Sequence, residues 1–130
     1  MPPKKPTKPK KTEEPICGIY AIKNIIDNKY YVGSSTNVKH RIQTHKRELL
    51  KGSHDVRPMQ MDFNKHGQEN FEFIILDKEI PEEMLTAYEK CYCYKFDSFV
   101  AYKGYNQNSP TTNHKLFKEA YNNLLKKGVF

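Results

Sequence analysis

The segment Cys17 to Ser35, CGIYAIKNIIDNKYYVGSS, constrains the fold more than any other part of the chain. Residues from Ile16 to Ile26 are mostly apolar and β-prone, Asp27-Asn28 is a turn signal, and Lys29 to Ser34 is β-prone again. The pattern predicts a β-hairpin that ends at Gly33. Its tyrosines are Tyr20 on the first strand and Tyr30 and Tyr31 on the second. Neighbours along a strand point to opposite faces, so Tyr30 and Tyr31 cannot serve the same one. Tyr30, with Ile19, Ile22 and Val32, is read as packing.

Helical periods follow the hairpin. Ser35, Thr36 or Asn37 can cap a helix to about Leu50, with Val38, Ile42, His45 and Leu49 as its inward stripe and Gly52 beyond its end. A second helix is predicted from Pro58 to His66-Gly67. NFEFIIL, Asn70 to Leu76, alternates and then turns wholly apolar, which suits a third strand in the interior of a sheet. After Pro81, with Glu82 and Glu83 in a first turn that favours negative charge, a third helix runs to about Phe96. KGYNQNSP reads as turn or loop. A last helix spans about Lys115 to Lys126, with Leu116, Ala120 and Leu124 on one side and Gly128 as its stop. The predicted class is α/β: a small three-stranded antiparallel sheet, a hairpin plus a later strand, flanked by helices.

At 130 residues this is one domain, residues 15–130, preceded by a basic tail over residues 1–14. The tail holds four prolines, five lysines and no large apolar residue beyond Met1, and is expected to be disordered. Without it the body keeps 17 basic against 13 acidic residues, so the domain is basic in its own right and a polyanion is the natural partner. No run approaches the roughly 18 apolar residues of a membrane span, and no secretory signal is evident. An intracellular setting is expected: the cytoplasm, or the nucleus in a eukaryotic host. Cys17, Cys91 and Cys93 are read as reduced core thiols, because Cys-Tyr-Cys is too short for common zinc spacings.

Two local anomalies carry chemistry. Leu85, Glu89, Tyr92 and Phe96 share one helical face, so a carboxylate stands within an apolar stripe. It calls for a partner, whether a cation, a hydrogen-bond network or a metal, unless it reaches solvent. On the first helix, Arg41 and His45 are stacked four residues apart and can present two donors to one phosphate. Between Lys39 and Arg57 there are six lysines and arginines against two acids, with His40, His45 and His54 in addition. This segment is the basic centre of the body.

Gly18-Ile19-Tyr20, ten residues, then Tyr31-Val32-Gly33 resembles the signature of the GIY-YIG endonuclease superfamily, with valine for the central isoleucine of the second motif. Arg41, Glu89 and Asn106 in its GYN turn follow in the family's order, and MDFNKHGQENFEF, Met61 to Phe73, resembles the linking segment of phage- and intron-type members. His45 and His54 fall where those members often carry histidines. The resemblance covers about Ile16 to Ser109 and implies a viral or mobile-element endonuclease that hydrolyses DNA phosphodiesters.

It further implies that Glu89 binds one Mg²⁺, with Mn²⁺ as a substitute. Arg41 would stabilise charge on the phosphate, and Tyr20 would act as general base through the attacking water. Tyr31 would share that water or orient the phosphate, while His45 assists Tyr20 or contacts the phosphate. Asn106 would fix Glu89 or close the edge of the site. Lys39, Lys46, Arg47, Lys51, His54 and Arg57 are the expected DNA contacts, and the DNA is expected to be double-stranded. Because one small domain has one site, cutting both strands calls for two sequential nicks or transient pairing of protomers on DNA; the enzyme is either free-standing or a catalytic module that borrows targeting from a partner protein. The competing expectation is a nucleic-acid-binding module of the same fold without turnover.

Overall fold

The computed structural model describes residues 14–130; the tail expected to be disordered lies, up to residue 13, outside the described residues. Strands β1 (Gly18–Asn24) and β2 (Lys29–Ser35) form the hairpin, with Tyr20 opposite Gly33 and Ile22 opposite Tyr31. Asn28 takes the left-handed conformation in the turn, at φ 55°, a region that asparagine tolerates. β3 (Phe71–Asp77) pairs antiparallel with β1, so the sheet order is β2-β1-β3.

The interior strand is therefore β1, not β3. An apolar run such as Phe73-Ile74-Ile75-Leu76 reports that both faces of a strand meet apolar neighbours, and says nothing about whether both its edges are paired. Here Leu76 packs into the core on one face and Phe73 into the clusters on the other.

Helices cover the two faces separately. α1 (Val38–Lys51) and α2 (Arg57–His66) lie on the face of Tyr20 and Ile22, where Val38, Ile42, Leu49, Met59, Phe63 and Phe71 are buried. α3 (Leu85–Lys95) and α4 (His114–Lys126) lie on the face of Ile19, Ala21 and Val32. Tyr30 points to this second face and stacks on Phe96 with ring centroids 4.6 Å apart. Tyr31 points to the first, edge-on to His45.

Local signals explain the helix ends. The Asn37 side chain accepts from the His40 N–H at the start of α1, Gly52 closes it at φ 80°, and the buried residues of α1 are Val38, Ile42, His45 and Leu49. Asn113 caps α4 by accepting from the Leu116 N–H. The third helix departs from its expected start: Glu82–Met84 is a 3-10 turn, and the α-helix begins at Leu85. Its burial is also wider than one stripe, taking in Ala87, Tyr88, Cys91 and Cys93, because α3 is packed between the sheet and α4. All three cysteines are free thiols, and burial pushes Cys91 up to about 11 and Cys93 up to about 12. No helix among the described residues is long and apolar enough to cross a membrane.

The open edge of β2 is completed by the GYN turn. Asn106 Oδ1 accepts the Val32 N–H at 2.8 Å, and its Nδ2 donates to the Val32 carbonyl at 2.9 Å. Beside it the Tyr105 N–H donates to the Tyr30 carbonyl at 3.0 Å. Asn106→Ala would strip both side-chain bonds from a buried main-chain pair. It is expected to cost about 2–3 kcal/mol, read as a lower urea midpoint at unchanged slope.

Candidate active site

Tyr20 and Tyr31 occupy the same sheet face from adjacent strands. The phenol of Tyr20 lies directly across Gly33: a Cβ at that position would overlap the ring carbons and the hydroxyl. The second glycine of the hairpin is thus a seat for Tyr20. Gly18 serves the other edge, where a Cβ would run into the Asp77 carbonyl of β3.

α1 lays His45 over the tyrosines. Tyr20 Oη and His45 Nε2 share a hydrogen bond of 2.7 Å, and His45 Nδ1 shares another of 2.7 Å with His54 Nε2. The two imidazoles are nearly coplanar, at 23°. This explains how a histidine sits in an apolar stripe while 1% exposed: both its ring nitrogens are bonded. His54, in the loop between α1 and α2, accepts the Val56 N–H on Nδ1 at 3.0 Å. Its own main-chain N–H donates to Gln60 Oε1 at 3.0 Å. Gln60, fully buried on α2, donates from Nε2 to the Leu49 carbonyl and to Asn64 Oδ1, each at 2.9 Å.

Glu89 comes from α3, on the other side of the sheet, and meets the end of β2. The Ser34 hydroxyl donates to its Oε1 at 2.5 Å. The partner that Glu89 needed is thus a hydroxyl. Burial pushes its carboxyl above the ordinary value, and the Ser34 bond acts against the rise. Burial likewise raises Tyr31, with Glu89 adding to the rise and Arg41 opposing it. Tyr20 is raised by burial and then by Tyr31, while the Arg41 guanidinium pulls it down by charge and by a hydrogen bond. His45 is pushed down to about 3, by burial first and then by Arg41 and His54. In His54 burial outweighs the upward pull of Glu48 and Asp55. Both imidazoles are neutral at pH 7.

Tyr20, Tyr31, Arg41, His45 and Glu89 therefore converge at one end of the hairpin. Asn106 does not reach Glu89; its amide is spent on Val32, closing the sheet edge. His54, expected on the DNA surface, is 2% exposed and lies behind His45, because a loop donor and Gln60 draw it inward. Lys39, Arg41, Lys46, Arg47 and Lys51 are exposed along α1. The Lys46 ammonium sits 5.0 Å from the centre of the Phe73 ring, and the exposed Arg57 donates to the His54 carbonyl at 3.3 Å.

Two polar residues escaped the sequence reading. Ser34 had only its place after Gly33 to mark it. Gln60 carried a usable signal, since it stands among Met59 and Phe63 in the buried face of α2, the same kind of anomaly as Glu89.

Among the described residues, two groups bring three ligating side chains together: His45, Glu48 and His54, and Asp27, Asp62 and His66. In the first, the two imidazoles already bond each other; in the second, Asn24, Tyr105 and Lys29 already engage the carboxylates. Glu89 belongs to neither. A lone half-buried carboxylate with a hydroxyl oxygen beside it is a hard-oxygen donor set, suited to a small divalent cation that keeps most of its waters.

A three-stranded antiparallel sheet with helices on both faces, a tyrosine pair on its hairpin, and an arginine and a carboxylate beside them define a class of small α/β catalytic domain. A family model described as the GIY-YIG catalytic domain matches residues 16–108, and the chain belongs to this family. It is 48% identical over 66 residues to intron-associated endonuclease 1 of Enterobacteria phage T4. That match covers 51% of this chain and 26% of the phage protein, so the chain spans about a quarter of that relative. Among solved structures it resembles the catalytic domain of the homing endonuclease I-TevI, at a TM-score of 0.63 and 37% identity, over 71% of this chain and 98% of that one. A substituted form of the same catalytic domain superposes at a TM-score of 0.64 and 35% identity, over 75% of this chain and 99% of that one.

The depressed His45 has a consequence for stability. Above the ordinary histidine value of 6.5 the residue is neutral in folded and unfolded chains alike. As pH falls below 6.5 the unfolded chain takes up a proton that the folded chain refuses until about 3, so stability drops across that window. The slope is about 1.4 kcal/mol per pH unit for one such histidine. Urea midpoints from pH 7 to pH 4.5 should therefore fall more steeply in the wild type than in His45→Gln.

Proposed function

We propose that the chain is a metal-dependent endonuclease that hydrolyses phosphodiester bonds in double-stranded DNA within a cell. The observation that carries this reading is the meeting of Tyr20, Tyr31, Arg41 and Glu89 at one end of the hairpin, with a basic helix beside them. The endonuclease names of its relatives support it.

Glu89 holds one divalent ion, Mg²⁺ or Mn²⁺ in its place, with Ser34 steering the carboxylate. When bound, that ion supplies Lewis-acid stabilisation of the phosphate oxygens. Arg41, planar and permanently charged, binds a non-bridging oxygen and offsets the charge that grows in the transition state. Tyr20 takes the proton of the attacking water, and Tyr31 orients that water or the phosphate. Burial works against the first of these roles by holding Tyr20 protonated, whereas Arg41 works for it. Lys39, Lys46, Arg47, Lys51 and Arg57 contact phosphates and set affinity without reading sequence. A second strand is cut by a second nick or by transient pairing of protomers on the DNA, and a partner protein can supply targeting.

Incubation of supercoiled plasmid with the wild type, Glu89→Ala and Arg41→Ala, in Mg²⁺ and in EDTA, tests the reading. Nicking should require the metal and fall by about a hundredfold or more in both variants. Tight DNA binding by the wild type with no cleavage in Mg²⁺ or Mn²⁺ would leave a binding module of the same fold. Affinity should also weaken with salt, with a log–log slope of about −4.5 for the five phosphate contacts of the basic surface. A flat salt dependence would remove the basic surface from the account.

A further inference from the structure

The hydrogen-bonded chain behind Tyr20 ends on a main-chain amide, and an amide N–H can only donate. Its far terminus therefore fixes the direction of every bond in the series. The Val56 N–H points at His54 Nδ1, which must be the acceptor. Neutral His54 then carries its proton on Nε2 and donates to His45 Nδ1. Neutral His45 in turn carries its proton on Nε2 and donates to Tyr20 Oη.

The reverse polarity would set a His54 Nδ1–H against the Val56 N–H at 3.0 Å. A second proton on His54 fails for the same reason. One on His45 would crowd two protons into the 2.7 Å between the imidazoles.

We infer that the Val56 N–H, held in register by Gln60, sets the tautomers of His54 and His45 so that Tyr20 Oη is always a hydrogen-bond acceptor from His45. Gln60 is the positioning residue of this device. It takes the His54 main-chain N–H and ties the loop to the last turn of α1 through the Leu49 carbonyl and to α2 through Asn64.

The catalytic consequence, which rests on the nuclease reading above, is that the histidines cannot serve as a sink for the proton of Tyr20. They gain and lose none. Tyr20 releases its proton away from His45, on the side where Arg41 reaches its oxygen, to hydroxide, which becomes water. The phenolate that remains is stabilised by the bond donated from His45, and it recovers a proton from the attacking water. The histidine chain is thus a fixed donor aimed at the phenol oxygen.

The test uses the full chain with ¹⁵N-labelled histidine, free of DNA and metal, so its outcome does not depend on whether the protein cuts. Two-bond ¹H–¹⁵N correlation should show His45 and His54 both protonated at Nε2 and bare at Nδ1, with a scalar coupling between His54 Nε2 and His45 Nδ1. A proton on Nδ1 of either residue overturns the inference.

Val56→Pro removes the donor at a backbone φ of −80°, which proline accepts, while Val56→Ala keeps it. Val56→Pro should let the Nδ1–H form of both histidines appear beside the Nε2–H form and lower kcat several-fold below Val56→Ala, with KM for DNA within about twofold. Gln60→Ala should give a mixture of tautomers and a smaller loss confined to kcat. Unchanged tautomers in a folded Val56→Pro overturn the proposal, and if that variant does not fold, the wild-type and Val56→Ala spectra decide.

Discussion

Strand β2 lies at the edge of a three-stranded sheet, and the amide of Asn106 stands in for the neighbour it lacks. Much of the site depends on that substitution. β2 carries Tyr31, the bare backbone on which Tyr20 rests, and the hydroxyl that steers Glu89. A bare edge strand frays and twists, and displacements of an ångström at such groups are enough to spoil positioning. One asparagine amide, matching a main-chain donor and acceptor at once, keeps the strand straight without adding another strand. Its contribution to any chemistry is therefore made through the backbone.

The features legible in the sequence are those with a period or a local chemical rule. The hairpin, the stripe of α1 and the caps at Asn37 and Gly52 follow from alternation, the helical repeat and the few residues that satisfy helix ends. Glu89 and His45 stood out because each broke an apolar period. Long-range pairings leave no such trace. The bonds between Asn106 and Val32 span 74 residues, and nothing near either residue announces them. The position of β3 at an edge was hidden for a related reason, since apolar content reports the coverage of faces alone. His54 looked like a surface histidine in a basic, polar loop, and only its partners on Val56 and Gln60 draw it inward.

Burial dominates the electrostatics. It holds both histidines neutral, raises the tyrosines and raises Glu89, and in each case it outweighs the charges nearby. A neutral imidazole chain is compatible with a cationic helix because it adds no charge beneath Arg41. The same desolvation strengthens whatever interactions the site makes with an incoming anion.

The site draws its groups from both helical layers. Tyr20 and Tyr31 face α1 with its Arg41 and His45, whereas Glu89 arrives from α3, packed on the far face, and meets the others only past the end of β2. A molecule in which only α3 had come away from the sheet would keep its guanidinium and its imidazoles beside the hairpin, yet would have lost the carboxylate that the proposed metal needs. On the proposed nuclease reading, cutting depends on the docking of α3 as an interlock: a half-unfolded molecule would hold to DNA and leave it whole.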